Sequence, residues 1–443
     1  MQISDLKDRA RLCGIAGAGG AGFPAYAKLN EKADIIVLNC AECEPLFKQH
    51  RQLLEKYTIE ILSTLELISK TIDAKFIVGI KEEYKKAVAA VKSNIDSFEH
   101  GSISLIDEIY PAGDEVVLIY ETTGRRVKSG GLPIDVGVTV FNVETVLNMY
   151  YAYKAKTPVT YKYVTVAGEV ENPQTLRVPV GTEFSHLIKL CGGVTESDTV
   201  IISGGPMTGR ISDENDTVTK TTNGILVMPS GIDVVTKRQQ KSSNAIKRAM
   251  STSCHCRMCT ELCPRHQLGH PIEPHAFMNA ISNGINSSAD VKALVNSQYC
   301  CDCGVCELYA CFQGLSPRTL ISEFKNGMRA KGIKFEQREP SDVDPMREYK
   351  KIPVKRVLEK LGLSKYDVPA PIIEECELPG YLKISLRQNI GVPAVTAVSE
   401  KDEVLAGQVI AEPAEGLSMP IHSPVDGTID FINDKFIRIK VKK

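Results

Sequence analysis

Nine of the chain's fourteen cysteines lie between Ser253 and Cys311. They form two runs. The first, SCHCRMCTELCP, carries Cys256-x2-Cys259-x3-Cys263-Pro264; the second, CCDCGVCELYAC, carries Cys300-x2-Cys303-x2-Cys306-x4-Cys311. Thiolates two residues apart can wrap one side of a cubane cluster, and a further one, often followed by proline, reaches across to a second cluster. The spacing therefore predicts two [4Fe–4S] clusters. Cys300, Cys303 and Cys306 hold one, with Cys263 crossing over as fourth ligand; Cys256, Cys259 and Cys311 hold the other. The position expected for that cluster's leading cysteine is Ser253, and Cys254 comes one residue late. Cys254 is the favoured ligand, with a serine oxygen or an incomplete cluster as alternatives. Cys301 reads as a structural spare. Zinc is the competing reading, because structural zinc takes four Cys or His ligands and His255, His266, His270 and His275 stand nearby. Eight cysteines in this rhythm, with a Cys-Pro ending, favour iron–sulfur. Disulfides suit neither a long chain nor such tight clusters.

A second chemistry-bearing stretch lies near the N-terminus. Gly17, Gly19, Gly20 and Gly22 fall within six residues ahead of Phe23-Pro24. Such a loop exposes backbone N–H groups that can surround a phosphate or lie against a flat ring; a merely flexible loop is the alternative. The order excludes an ordinary Rossmann unit, whose glycine loop follows a strand. Here a charged helix (residues 4–12, Ser4 as N-cap) precedes the loop, and the first strand, Ile35–Leu38, follows it. That strand runs into Asn39-Cys40-Ala41-Glu42-Cys43-Glu44-Pro45. Polar residues at the end of a buried strand are where an open α/β sheet places its ligand. Asn39 can bond ring or ribityl oxygens, and Glu42 and Glu44 can accept from ribose hydroxyls or water. Cys40 and Cys43 form a CxxC pair, but no helix opens there as thioredoxin-like chemistry requires.

The elements that position these residues alternate. An amphipathic helix is expected over 51–70, strands at 75–80 and 102–107, and a helix between them. YPAGDE (110–115) precedes an apolar helix, and NVET (142–145) opens another, whose N-terminus is a natural anion site. From about residue 158 the texture changes to a small α+β module; residues 236–252 are basic and helical; from about 372 the chain is β-rich. The segment 407–433 resembles a biotinyl/lipoyl-type hairpin, but no lysine lies between Lys401 and Lys435, so no covalent prosthetic arm is expected. At 443 residues the chain should hold several domains. A net charge of −1 favours neither nucleic acid nor an anionic membrane. The N-terminus lacks the apolar region of a signal peptide, and no apolar run is long enough to span a bilayer. The expected location is cytoplasmic.

GAGGAGFP, NCAECEP, YPAGDE and NVET, in that order, resemble the flavin- and nicotinamide-binding subunit of respiratory complex I and its relative in Rnf complexes, RnfC. The next module is similar to the soluble ligand-binding β-grasp (SLBB) domain of that superfamily. A barrel-sandwich segment at the C-terminus, with the CPRHQLGHPIEPH and ELYACFQGLSPR contexts, is most similar to the cobalamin reductases of propanediol-utilisation microcompartments. The resemblance covers nearly the whole chain. It implies a multidomain α/β fold: an FMN/NADH-binding α/β domain (1–155), an SLBB module (158–230), a helical two-[4Fe–4S] ferredoxin-type domain (236–325), a linker (326–371) and a barrel-sandwich domain (372–443).

It also implies FMN held without a covalent bond against Gly17–Gly22, with Lys28 and Asn39 near its polar parts and Glu42 on the same loop. Glu44 would lie by the nicotinamide. Tyr110, Gly113, Asp114 and Glu115 would shape the pocket, and Asn142 and Thr145 would contact the phosphate end. Three departures stand out: Phe141 replaces a usual asparagine, Ser253 replaces a cluster cysteine, and Phe312 follows Cys311 where proline is common. The implied activity is an NADH-dependent reductase whose cofactors split a two-electron donor into single electrons, with no side chain acting as nucleophile or general base. The implied acceptor is a corrinoid or a corrinoid-bearing enzyme. The alternatives are a peripheral Rnf-type subunit of a membrane complex, a relay that does not use NADH, and a reductase for another soluble acceptor. Microcompartment shell proteins or other electron-transfer subunits are the implied partners, and a microcompartment the implied site.

Overall fold

The structure is a computed structural model and describes residues 2–334 and 336–442. The run IIVLNC forms the strand Ile35–Cys40 at the centre of a four-stranded parallel sheet, in the order 101–106, 75–81, 35–40, 138–142. Its residues alternate between two cores. Ile36 and Leu38 face one that holds the helices Ile3–Leu12, Thr58–Ile72 and Val143–Ala155; Val37 faces another, with the helix Glu115–Thr123. Burial on both faces explains the unbroken apolar run.

The helix expected over 51–70 is two helices, Gln49–Lys56 and Thr58–Ile72. They part at Tyr57, where the Thr58 hydroxyl bonds back to Leu54 O at 2.5 Å, a contact that bends helices. The first helix spans Ile3–Leu12 and is capped by Gln2, not Ser4.

The SLBB module is a six-stranded mixed sheet, order 372–373, 174–179, 161–168, 224–229, 199–203, 210–212, with the helix Phe184–Leu190 in its core. The cluster module is helical: Ser242–Thr252, Pro274–Asn283, Ser288–Asn296 and Pro317–Ala330 pack round Phe277, Leu294 and Ile321. The C-terminal module joins a four-stranded and a three-stranded antiparallel sheet over one apolar core.

The stretch expected as a linker, 326–371, is built into the fold. The helix Pro317–Ala330 runs through residue 325. Ile352–Pro353 pairs antiparallel with Ile109–Tyr110, and Ile372–Ile373 joins the SLBB sheet. Val354, Val357, Leu358 and Leu363 complete a core shared with Tyr110 of the flavin module, Met207 and Met228 of the SLBB module, and Val305 and Leu308 of the cluster module. Apolar residues at helical spacing within a charged stretch found a common surface on three modules.

Candidate functional site

In the parallel sheet the chain leaves strand 35–40 toward 75–81 on one side and returns to 138–142 on the other. This is a topological switch point, the place where open α/β sheets bind ligands at the carboxyl ends of their strands. Asn39 and Asn142, paired in register on the two diverging strands, stand at those ends. A cavity of about 680 Å³ opens there.

Of the residues singled out in the sequence, Gly19, Gly20, Asn39, Glu42, Glu44, Gly113 and Asn142 line it. The glycine loop is closed by Gly17 N–H donating to Phe23 O at 2.9 Å. Ala18 N–H donates to Thr145 Oγ1 at 2.9 Å, which ties the loop to the helix that Asn142 caps through Glu144 N–H and Thr145 N–H. A Cβ on Gly19 would come within 2.2 Å of Asn142 Nδ2, whereas one on Gly20 would meet no protein atom within 4 Å. Gly20 therefore presents bare backbone to the cavity. The cradle fits a flat ring with a phosphate tail. FMN, the group implied by the sequence, is accommodated by this loop, by the side-chain amides of Asn39 and Asn142, and by the helix N-terminus beyond them.

The remaining residues have partners of their own. Glu42, at φ 35°, accepts from His50 N–H at 2.8 Å and Arg51 Nε–H at 2.7 Å, so its carboxylate holds the start of a helix. Glu44 accepts from Met207 N–H at 2.9 Å and Thr208 N–H at 2.8 Å, and from the Thr208 hydroxyl. Burial raises its pKa against the pull of those bonds. Lys28 pairs with Glu115 at 2.9 Å. Asp114 caps the helix Glu115–Thr123 and receives Arg265 at 2.9 Å, bracing the flavin module against the cluster module. Gly22, at φ 74°, accepts from Ile390 N–H in the C-terminal module. Phe141 is buried in the core, away from the cavity. Asn142 Nδ2–H donates to the His50 ring at 3.0 Å, and burial lowers the His50 pKa to about 4, so its ring is neutral.

Sequence reasoning missed the far wall of the cavity. It comes from Ser203–Gly205, Arg210 and Thr217–Asn223 of the SLBB module and from Ser385–Ile390 of the C-terminal module. No local motif marks these positions; chain folding alone brings them across.

The cysteines gather into two sets. Cys254, Cys256, Cys259 and Cys311 surround one small pocket together with Ser253, so both candidates for its fourth ligand reach it. Cys263, Cys300, Cys303 and Cys306 lie within electrostatic reach of one another. Burial pushes the Cys259 and Cys263 thiols up to about 12, a penalty removed when a metal takes the thiolate. Among the described residues no three of these sulfurs lie within 4.8 Å of one another, as one zinc ion with Zn–S bonds of about 2.3 Å would require. The nearby histidines are engaged elsewhere: His255 with Asn279, His266 with Ile272 O, His270 with Ser129 and His275 with Thr260. The donor sets fit two cubane clusters. The gap Cys306-x4-Cys311 is one residue longer than Cys259-x3-Cys263, and the extra residue is absorbed in a π-helical turn, Val305–Tyr309. That gap was the legible signal for the turn.

Two contacts join the cavity to the second set. Tyr110 Oη–H donates to Cys303 O at 2.5 Å. A Cβ on Gly304 would lie 2.9 Å from the carbonyl oxygen of Met207, whose N–H holds Glu44. The first set is at the surface. Cys254 and Cys256 are exposed, and Phe312 and Met250 beside them are 60% and 63% exposed. No helix among the described residues is long and apolar enough to cross a membrane.

Four families match in chain order: the Nuo51 FMN-binding domain (residues 10–151), the SLBB domain (163–211), the 4Fe-4S dicluster domain (253–316) and the RnfC Barrel sandwich hybrid domain (364–442). The chain is 36% identical to Cobalamin reductase PduS of Salmonella typhimurium over 99% of this chain and 97% of that protein. It is 33% identical, over 60% of this chain and 59% of that one, to the RnfC-type component of the Na(+)-translocating ferredoxin:NAD(+) oxidoreductase complex of Acetobacterium woodii. Among solved structures, the H2-reduced NAD+-reducing [NiFe]-hydrogenase aligns with 18% identity and a TM-score of 0.49, over 76% of this chain and 69% of that one.

Proposed function

The chain belongs to the family of the cobalamin reductase PduS, and from that premise we propose that it passes single electrons from NADH to a corrinoid, cob(II)alamin or cob(III)alamin. The observation that carries this reading is the continuous arrangement of cavity, buried thiol set and exposed thiol set, joined through Tyr110–Cys303 and Glu44–Met207–Gly304. Bound FMN and the clusters supply the conversion of a hydride donor into a one-electron relay.

The protein's part is placement. Gly19, Gly20, Asn39 and Asn142 hold the flavin, with Thr145 fixing the loop. Cys263, Cys300, Cys303 and Cys306 hold the cluster on the cavity side. Cys254, Cys256, Cys259 and Cys311 hold the outer one. The outer set lies beside a basic surface: residues 236–258 carry six Lys or Arg and no Asp or Glu. That surface suits delivery to a corrinoid-bearing partner with an acidic face, and a microcompartment shared with that partner is the setting we propose.

Anaerobically purified protein should contain FMN, iron and sulfide, and should convert cob(II)alamin to cob(I)alamin with NADH alone. Activity confined to artificial dyes would favour the second reading, an Rnf-type subunit lacking its complex, which the similarity to the Acetobacterium woodii protein supports. Absence of flavin would overturn both.

A further inference from the structure

The far wall of the cavity carries two arginines that no part of the flavin module supplies. Arg210 stands on the SLBB strand Arg210–Ser212, and Arg387 on the loop that follows the strand Tyr381–Ser385 of the C-terminal module. Neither forms an ion pair with a carboxylate among the described residues; the Arg387 guanidinium donates only to Gly391 O at 3.0 Å. The two carboxylates that share the cavity are already engaged, Glu42 with Arg51 and Glu44 with the loop at Met207–Thr208. The cavity is thus left with uncompensated positive charge on the side opposite the glycine loop.

Both arginines sit on anchored backbone. Arg238 donates to Gly209 O, Val234 O and Pro206 O, which fixes the loop leading into Arg210. Gln388, next to Arg387, is buried; it accepts from Lys220 N–H at 2.9 Å and donates to Ser385 O at 2.9 Å. Ile390 N–H donates to Gly22 O at 3.2 Å, so the loop that carries Arg387 is fastened to the flavin cradle itself.

We propose that Arg210 and Arg387 form a diphosphate-binding subsite for the nicotinamide dinucleotide donor, so that the SLBB and C-terminal modules complete the donor site. Guanidinium groups are suited to phosphate through paired, charge-assisted bonds. The flavin phosphate has its own place at the Asn142–Thr145 end of the flavin module, which leaves the arginine wall to the second anionic ligand. The inference rests on the reading of NADH as donor.

The test compares wild type with Arg210→Ala, Arg387→Ala and the double variant, each anaerobically purified with flavin content measured. ADP-ribose, which keeps the diphosphate and lacks the nicotinamide, is titrated calorimetrically. NADH is then compared with dihydronicotinamide riboside, which has no phosphate, using a dye as acceptor. The expected result is ADP-ribose binding about tenfold weaker or more in each single variant, with kcat/KM for NADH falling by a similar factor relative to the riboside. Loss of flavin from the variants would assign the arginines to the FMN phosphate and overturn the proposal. Equal effects on both donors, or none on either, would overturn it as well. A wild-type protein that oxidises the riboside but neither binds ADP-ribose nor oxidises NADH would overturn the donor reading, and the subsite with it.

Discussion

Lys162 and Glu144 form an ion pair between the SLBB sheet and the NVET helix of the flavin module, with both side chains 1% exposed. Glu144 also accepts from Tyr163 N–H at 3.1 Å, and Lys162 donates to Asn223 Oδ1 at 2.9 Å. Burial pulls the Lys162 pKa down while Glu144 draws it up. Lys162→Met would leave a carboxylate with no cation in a site closed to water. Removing one partner of such a pair costs about 3–5 kcal/mol, a large share of the roughly 5–15 kcal/mol that holds a typical domain folded. Adding Glu144→Gln removes the stranded charge and keeps an acceptor for Tyr163 N–H. The double variant should therefore lose only about 1–2 kcal/mol, the value of the missing hydrogen bonds, and be more stable than the single one. The chain has no tryptophan, so urea unfolding is best followed by far-ultraviolet circular dichroism, with hydrogen exchange at residues 161–163 as the local readout. A Lys162→Met protein within about 1 kcal/mol of wild type, or a double variant no better than the single, would refute the argument.

Three further outcomes are expected. Cys303→Ala and Cys259→Ala should each lower iron content by about half while flavin stays bound; unchanged iron in both would discard the ligand sets. Gly20→Val adds a side chain that meets no protein atom, so the protein should fold normally and lose FMN, as read by the flavin-to-protein absorbance ratio; full occupancy would free the loop of that role. Lys220 is buried against Gly14 O, and burial lowers its pKa from the ordinary 10.5 to about 7. Between those values the unfolded chain holds the proton that the folded chain has released, so stability should rise with pH. The gain from about pH 7 to pH 9 is on the order of 2 kcal/mol, and Lys220→Met should abolish it in urea unfolding at the two pH values. An equal pH dependence in both proteins would contradict this.

What could be read in advance was local. The cysteine runs declare themselves because cluster ligation fixes short spacings, and the structure gathers each expected set. The strand at Ile35 and the glycine loop before it exclude a Rossmann order from sequence alone, and the switch point between 35–40 and 138–142 follows the same topology. Polar motif residues were harder to place, because type does not disclose partner. Asp114 and Glu42 look like ligands for a bound molecule, yet they brace Arg265 and Arg51. Arg210, Arg387 and Gln388 could not be read at all. They reach the cavity from two other modules, far along the chain from the glycine loop. The stretch 326–371 looked like a linker because Lys, Arg and Pro are scattered through it, whereas its leucines and valines seal three modules together.

The central claim is that electrons leave the flavin through the cluster at Cys263, Cys300, Cys303 and Cys306 and reach the corrinoid only from the outer cluster. It is tested most directly by following NADH-driven cob(I)alamin formation in wild type and Cys259→Ala side by side, with flavin and cluster absorbance recorded in the same anaerobic cuvette. The account predicts that wild type forms cob(I)alamin, and that Cys259→Ala is bleached by NADH at the flavin and the remaining cluster yet forms none. Formation of cob(I)alamin by Cys259→Ala at the wild-type rate would show that the corrinoid is reduced without the outer cluster and would contradict the route.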